Sequence, residues 1–277
     1  MPVTSIFANY YQQFDANFTL DVPGEGYEGW QKTEIEIDTG RTAFVVMHAW
    51  DTGTRQEFPG WHRAVEYIPR ANEICRTVFP PLLSAIRSTR MPLFHVVGGG
   101  DYYKAYPGYK QAVEQAGPLD NDVSKIDPDP SLEKLRQFRA NHVFTGPENA
   151  PDVQRGFARL DFASEAKPVA HEGIAENGHQ LAALCRNHEV NHLIYMGFAI
   201  NWCLLLSPGG MHDMSRYGVL CSAIRQAVTA VENKETARQE LAKEIGLWRV
   251  ALAFGFVFDV EDVLEMLKAQ KRLTGIF

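Results

Sequence analysis

The chain has 277 residues, 45% of them hydrophobic, with 27 Lys and Arg against 34 Asp and Glu for a net charge of −7. That apolar share excludes a disordered chain, and the length allows one large α/β domain or two small ones with full cores. An acidic balance without a Lys/Arg cluster excludes a phosphate-backbone binder, so no nucleic-acid partner is expected.

Residues 1–40 are aromatic and polar, and TEIEID at 33–38 alternates as a half-buried strand does. They read as an N-terminal extension with a hairpin, ahead of a domain over 41–277. The opening lacks the basic start and unbroken apolar stretch of a secretory signal. No apolar run approaches the roughly 20 residues that cross a bilayer. A cytoplasmic protein with no membrane partner is therefore expected, and the four cysteines at 75, 185, 203 and 221, without C-x-x-C spacing, fit a reducing compartment.

The branched run TAFVVM at 42–47 predicts a strand buried on both faces, as in a parallel sheet. Leu82, Leu83 and Ile86 share a helical face within 80–90, and a second buried strand follows at 93–97, completing a β-α-β unit. From 98 to 130 the composition turns to Gly, Tyr, Asp and Pro, which predicts a long surface loop. Beyond it, helices are expected at 178–187, from 203 toward 216, at 234–245 and at 260–271, with strands at 192–196, 218–223 and 254–258. The alternation predicts an α/β fold, a single-domain, three-layer, doubly wound and mainly parallel sheet.

In such sheets ligands collect beyond the carboxyl ends of the strands. That rule selects residues 48–51, 95–101 and 197–203. Cys203 falls in the first turn of a predicted helix, where free N–H groups stabilise a thiolate; the plainer alternative is an inert core thiol. His48, after the neighbouring strand, is a candidate base, against the alternative of a merely hydrogen-bonded histidine. Trp50 and Trp202 adjoin these two strand ends and are candidate walls of a substrate pocket. Gly98 to Asp101 lacks the spacing of a phosphate loop. His48, Asp51, His62, His95, Asp101, His171 and His179 supply metal-type donors, but no spacing makes them converge, so no metal and no other cofactor is expected. Pro208 and two glycines predict a break after the Cys203 helix starts.

The stretch HLIYMGFAINWC, 192–203, resembles the strand-turn-helix signature of the isochorismatase-like cysteine hydrolases, in which G-x-A-T-N-x-C carries the nucleophile. Gly197, Ala199, Asn201 and Cys203 hold their places, and Ile200 stands where the threonine is usual. The similarity extends in order and pattern over most of 41–269. It implies an Asp-Lys-Cys triad, a non-proline cis peptide at Phe198-Ala199, and an oxyanion hole from the N–H groups of Ala199 and Cys203. The family's aspartate position falls on His48, with Asp51 out of phase three residues on. Lys167 of the Lys167-Pro168 pair is the candidate lysine, with His171 or Glu172 as alternatives. The resemblance implies a hydrolase cleaving a C–N bond of a small amide, ureide or carbamoyl compound through an acyl intermediate on Cys203, in a homo-oligomer. The alternatives are a catalytically silent member that binds a small molecule or partner protein, and a metal hydrolase using His48 and Asp51.

Overall fold

The structure, a computed structural model, describes residues 3–119 and 125–274. Positions 120–124 of the expected long loop, and the last three of the expected domain, lie outside the described residues. In chain order the elements are β1 (Val3–Gln12), β2 (Gly29–Asp38), β3 (Thr42–Met47), α1 (Pro59–Ala64), α2 (Ile68–Thr77), α3 (Phe79–Arg87), β4 (Leu93–Val96), α4 (Pro107–Ala116), α5 (Pro130–His142), α6 (Ala150–Phe157), β5 (Gly173–Ala175), α7 (Gly178–Asn187), β6 (His192–Gly197), α8 (Met211–Ser215), β7 (Leu220–Val228), α9 (Leu241–Ala253), β8 (Val257–Phe258) and α10 (Val260–Thr274).

The eight strands form one sheet in the order β2-β1-β8-β7-β6-β3-β4-β5. The six from β8 to β5 pair in parallel; β1 pairs antiparallel with β8 and with β2, so the amino-terminal hairpin extends the main sheet. All six residues of β3 and all six of β6 are buried, which is why both read as unbroken apolar runs. Alternate residues feed two cores. Ala43, Val45 and Met47 pack with α7, α8 and α9, while Phe44 and Val46 pack with α2, α3 and α10. The result is the expected three-layer, doubly wound α/β arrangement. From β3 the chain winds to β4 and β5 on one side, then returns to β6, β7 and β8 on the other. The switch point therefore lies between β3 and β6.

Two expectations are corrected. The segment read as a loop from 98 to 130 contains α4, and α5 starts at its end; Pro107 and Pro130 stand at the first helical positions, where a missing N–H costs nothing and the fixed φ is favourable. The helix expected at 234–245 begins only at Leu241, after Glu240 takes a left-handed φ of 51°. Its start is fixed by a residue outside it. The buried Glu232 carboxylate accepts the N–H groups of Ala242 and Lys243, both at 3.0 Å. The helix expected from 203 toward 216 carries the break that Pro208 and the two glycines predict: Gly209 takes a φ of 75° after Pro208 and the chain restarts as α8.

Because Glu232 satisfies two otherwise orphaned helix-end donors with a buried charge, Glu232→Ala is expected to destabilise the protein by about 2 kcal/mol or more. Urea denaturation of the two proteins checks this, and an unchanged midpoint would refute the capping role.

Candidate functional site at the β3–β6 switch point

Met47 and Gly197 pair at the carboxyl end of β3 and β6. Gly197 has a φ of 128°, and a Cβ there would strike the Met47 carbonyl oxygen, so only glycine fits. The next peptide bond, Phe198-Ala199, is cis, as the resemblance implies. The Ala199 carbonyl accepts the N–H groups of Trp202 (3.2 Å) and Leu204 (3.1 Å), winding residues Ile200–Leu204 into one wide π-type turn. The Ile200 N–H donates to the Thr229 carbonyl at 2.7 Å. Asn201 closes the turn against the chain beyond β7, donating to the Val231 carbonyl and accepting the Val231 N–H, both at 2.9 Å. Ile200, which the sequence resemblance sets against a threonine, is fully buried. A Cβ on Gly246 of α9 would come within 2.9 Å of its methyl group, so that glycine makes room for the isoleucine.

Cys203 is half-buried, whereas Cys75, Cys185 and Cys221 are buried. Burial pushes the Cys203 thiol above its ordinary value of 9.0, opposed by hydrogen bonds with the Ser207 side chain and the Ala199 backbone. Tyr67, just before α2, is raised above the usual phenol range by burial, and it lies close enough for the charge of a Cys203 thiolate to add to that rise. The expected stabilisation by a long helix is weaker than a 203–216 helix would give, since the helical segment ends before Pro208.

His48 takes a left-handed φ of 52°, which turns its ring toward the exit of β4. The Nε2 atom lies 3.1 Å from where a Cβ on Gly98 would sit, and the ring stacks on Trp50 with centroids 4.7 Å apart and planes at 17°. Trp50 is itself held by its Nε1–H, which donates to the Tyr102 hydroxyl at 2.9 Å. Burial lowers the His48 pKa to about 4, against a weaker opposite pull from the Val97 backbone, and Nδ1 is buried without a partner. Cys203 follows β6 and the His48 ring faces the β4 side; no hydrogen bond joins them among the described residues. With the thiol raised and this imidazole lowered to about 4, proton transfer between them is uphill at rest.

Lys167 is 48% exposed, and its Nζ donates to Asp161 at 3.0 Å, which raises its pKa. It sits on a cleft that also takes in Trp50 and Asp51, and not among the partners of Cys203. Of the two alternatives, His171 is exposed. Glu172 is engaged elsewhere: it accepts Arg87 Nε and Nη2 at 2.7 and 3.0 Å, His95 Nε2 at 2.9 Å and the Val169 N–H at 3.0 Å. Burial opposes its ionisation, but the His95 and Arg87 hydrogen bonds outweigh that and hold its pKa at about 2. Trp202 is 61% exposed. Asp51 accepts the Gly53 N–H and pairs with Arg159, away from the buried His48 ring. Among the described residues no group of three or more His, Cys, Asp or Glu converges as a metal site would require. Ser207, Tyr67 and Tyr102 escape sequence reasoning. Of the three, Ser207 carries a usable signal, lying four residues after Cys203 at helical spacing.

No family profile matches the sequence, and no curated protein is similar to it. Solved structures are similar in fold. A cysteine hydrolase from Pseudomonas syringae pv. phaseolicola 1448A aligns at 15% identity and a TM-score of 0.49, over 84% of this chain and 95% of that one. An isochorismatase family protein from Burkholderia thailandensis aligns at 15% identity and 0.45, over 83% and 96%. The N-carbamoylsarcosine amidase from Thermoplasma acidophilum aligns at 12% identity and 0.43, over 80% and 97%. Several of the solved structures that align with this chain carry isochorismatase or cysteine hydrolase names.

Buried histidines set the acid response. His48 and His192 bind a proton near 6.5 when unfolded but only near 4 when folded, because burial disfavours their charged forms. Between those values the unfolded chain holds more protons, so stability is lost as pH falls from about 6.5 through 4, by up to ~3 kcal/mol for each ring. Denaturant midpoints measured over that range should fall, and His48→Gln should flatten the fall. Parallel curves for the two proteins would contradict the assignment of His48.

Proposed function

We propose that the chain is an isochorismatase-like cysteine hydrolase that cleaves a C–N bond of a small amide, ureide or carbamoyl compound. The observation that carries this reading is Cys203: among four cysteines it alone is not buried, and it lies just past the carboxyl edge of a central strand, at the switch point. Its sulfur would attack the carbonyl carbon, with the N–H groups of Ala199 and Cys203 receiving the oxyanion. The C–N bond breaks as the leaving nitrogen takes the thiol proton, and water then releases the acid from the thioester. His48 enters as the proton acceptor only by leaving its stack on Trp50. Lys167 contributes as a charge on the neighbouring cleft and not beside the sulfur. The reading includes a cytoplasmic homo-oligomer, for which the four free thiols and the exposed Trp202 and Leu206 are the support. No helix among the described residues is long and apolar enough to cross a membrane.

A second reading, a silent member that binds without turnover, is favoured by the orientation of His48 toward β4 and the uphill proton transfer. Alkylation and turnover separate the two. For a hydrolase, iodoacetamide labels Cys203 faster than the other three thiols. Its rate, and the rate of hydrolysis of a panel of small amides and ureides, climb through neutral pH to beyond 9, because the thiol is raised. Cys203→Ser lowers that hydrolysis by on the order of a thousandfold or more. Slow, uniform labelling and no Cys203-dependent hydrolysis across the panel would establish the silent reading.

A further inference from the structure

A cleft of about 310 Å³ opens beside Trp50, between the 50–53 loop, α2 and residues 161–167. It holds on the order of ten water molecules' worth of space, enough for a solute of about that many non-hydrogen atoms. None of its lining belongs to the Cys203 turn. We propose that this cleft is a binding site for a small amino-acid-type zwitterion, its ammonium group set against Glu165 and its carboxylate against Lys167.

The lining carries charges of both signs, Asp51, Asp161 and Glu165 against Arg76 and Lys167. Most are matched within the protein. Asp51 pairs with Arg159 at 3.4 Å and Arg76 with Glu73 at 2.6 Å. Glu165 is different. It accepts only the hydroxyl of the adjacent Ser164, at 2.8 Å, and no cation pairs with it among the described residues. It lines the cleft together with Lys167 and Asn72. A half-buried carboxylate without a cation, facing a cavity, is a ready partner for an ammonium group.

The opposite end of the ligand finds Lys167. Its pair with Asp161 joins side chains 48% and 44% exposed, and an exposed pair contributes at most about 1 kcal/mol. An incoming carboxylate can therefore share or replace Asp161 on Lys167 at little cost. Asn72 directs its Oδ1 toward the Thr52 hydroxyl at 3.4 Å, leaving its amide N–H groups for a ligand. Trp50 supplies a flat wall, immobilised by its bond to Tyr102 and its stack on His48. A lone organic cation would leave Lys167 unused, and a lone anion would meet Glu165, so the two signs together select a zwitterion.

Titration calorimetry with L-norleucine as probe, alongside pentylamine and hexanoate as its single-charge counterparts, tests this on the full chain. L-norleucine is expected to bind at least tenfold tighter than either counterpart. Glu165→Gln and Lys167→Met should each weaken it about tenfold or more, with thermal melts confirming that both variants fold. Cys203→Ser should leave the affinity unchanged, which keeps the site separate from the hydrolase reading. Absence of saturable L-norleucine binding, equal binding of the single-charge compounds, or full affinity in Glu165→Gln would each overturn the proposal.

Discussion

The contact on which the rest of the molecule depends is the meeting of β3 and β6 at their carboxyl ends. Gly197 presses its Cα against the Met47 carbonyl, and the Phe198 N–H then donates to that same oxygen at 3.1 Å. A side chain at Gly197 would push the two central strands apart. Their close approach decides where each chain goes next: β6 leaves through the turn that exposes Cys203, and β3 leaves through a left-handed His48. The crevice that the doubly wound topology must create is thus divided from the outset, with the thiol on one flank and the imidazole on the other.

That division has an electrostatic counterpart. The two groups nearest the switch point are both neutral at rest, because burial raises the thiol and lowers the imidazole. Charge is instead gathered away from it. Glu172 is held ionised by Arg87 and hydrogen-bonded by His95 under β4, Glu232 is committed to the start of α9, and Lys167 to Asp161. A buried carboxylate at position 48 would have needed a cation beside it to stay ionised. A neutral histidine needs none, and Lys167 stands with Asp161 on the cleft instead.

How much of this is legible in the sequence depends on how local each cause is. The strands β3, β4 and β6 can be read because burial on both faces writes a continuous apolar run, and α7 can be placed from end to end because Asn177 caps it locally through the Gln180 N–H. The start of α9 cannot be read, since it is set by a carboxylate about ten residues upstream that reaches the helix only through the fold. The prolines at 107 and 130 mislead for a related reason: the same residue starts a helix or punctuates a loop, and the packing of the next turn of chain decides between them. At the site, the sequence singles out Cys203, His48 and Trp50 by their place at strand ends. The direction of the His48 ring escapes it, because a left-handed residue just past a strand leaves no mark in composition.

Trp50 ties these threads together. One contact of its ring is the His48 stack, its N–H is fixed by Tyr102, and it also walls the polar cleft shared by Glu165 and Lys167. Any ligand that packs against Trp50 from the cleft therefore bears on the same indole that keeps His48 turned toward β4. The His48 stack and the cleft thus share one indole, held in place by the Tyr102 hydroxyl.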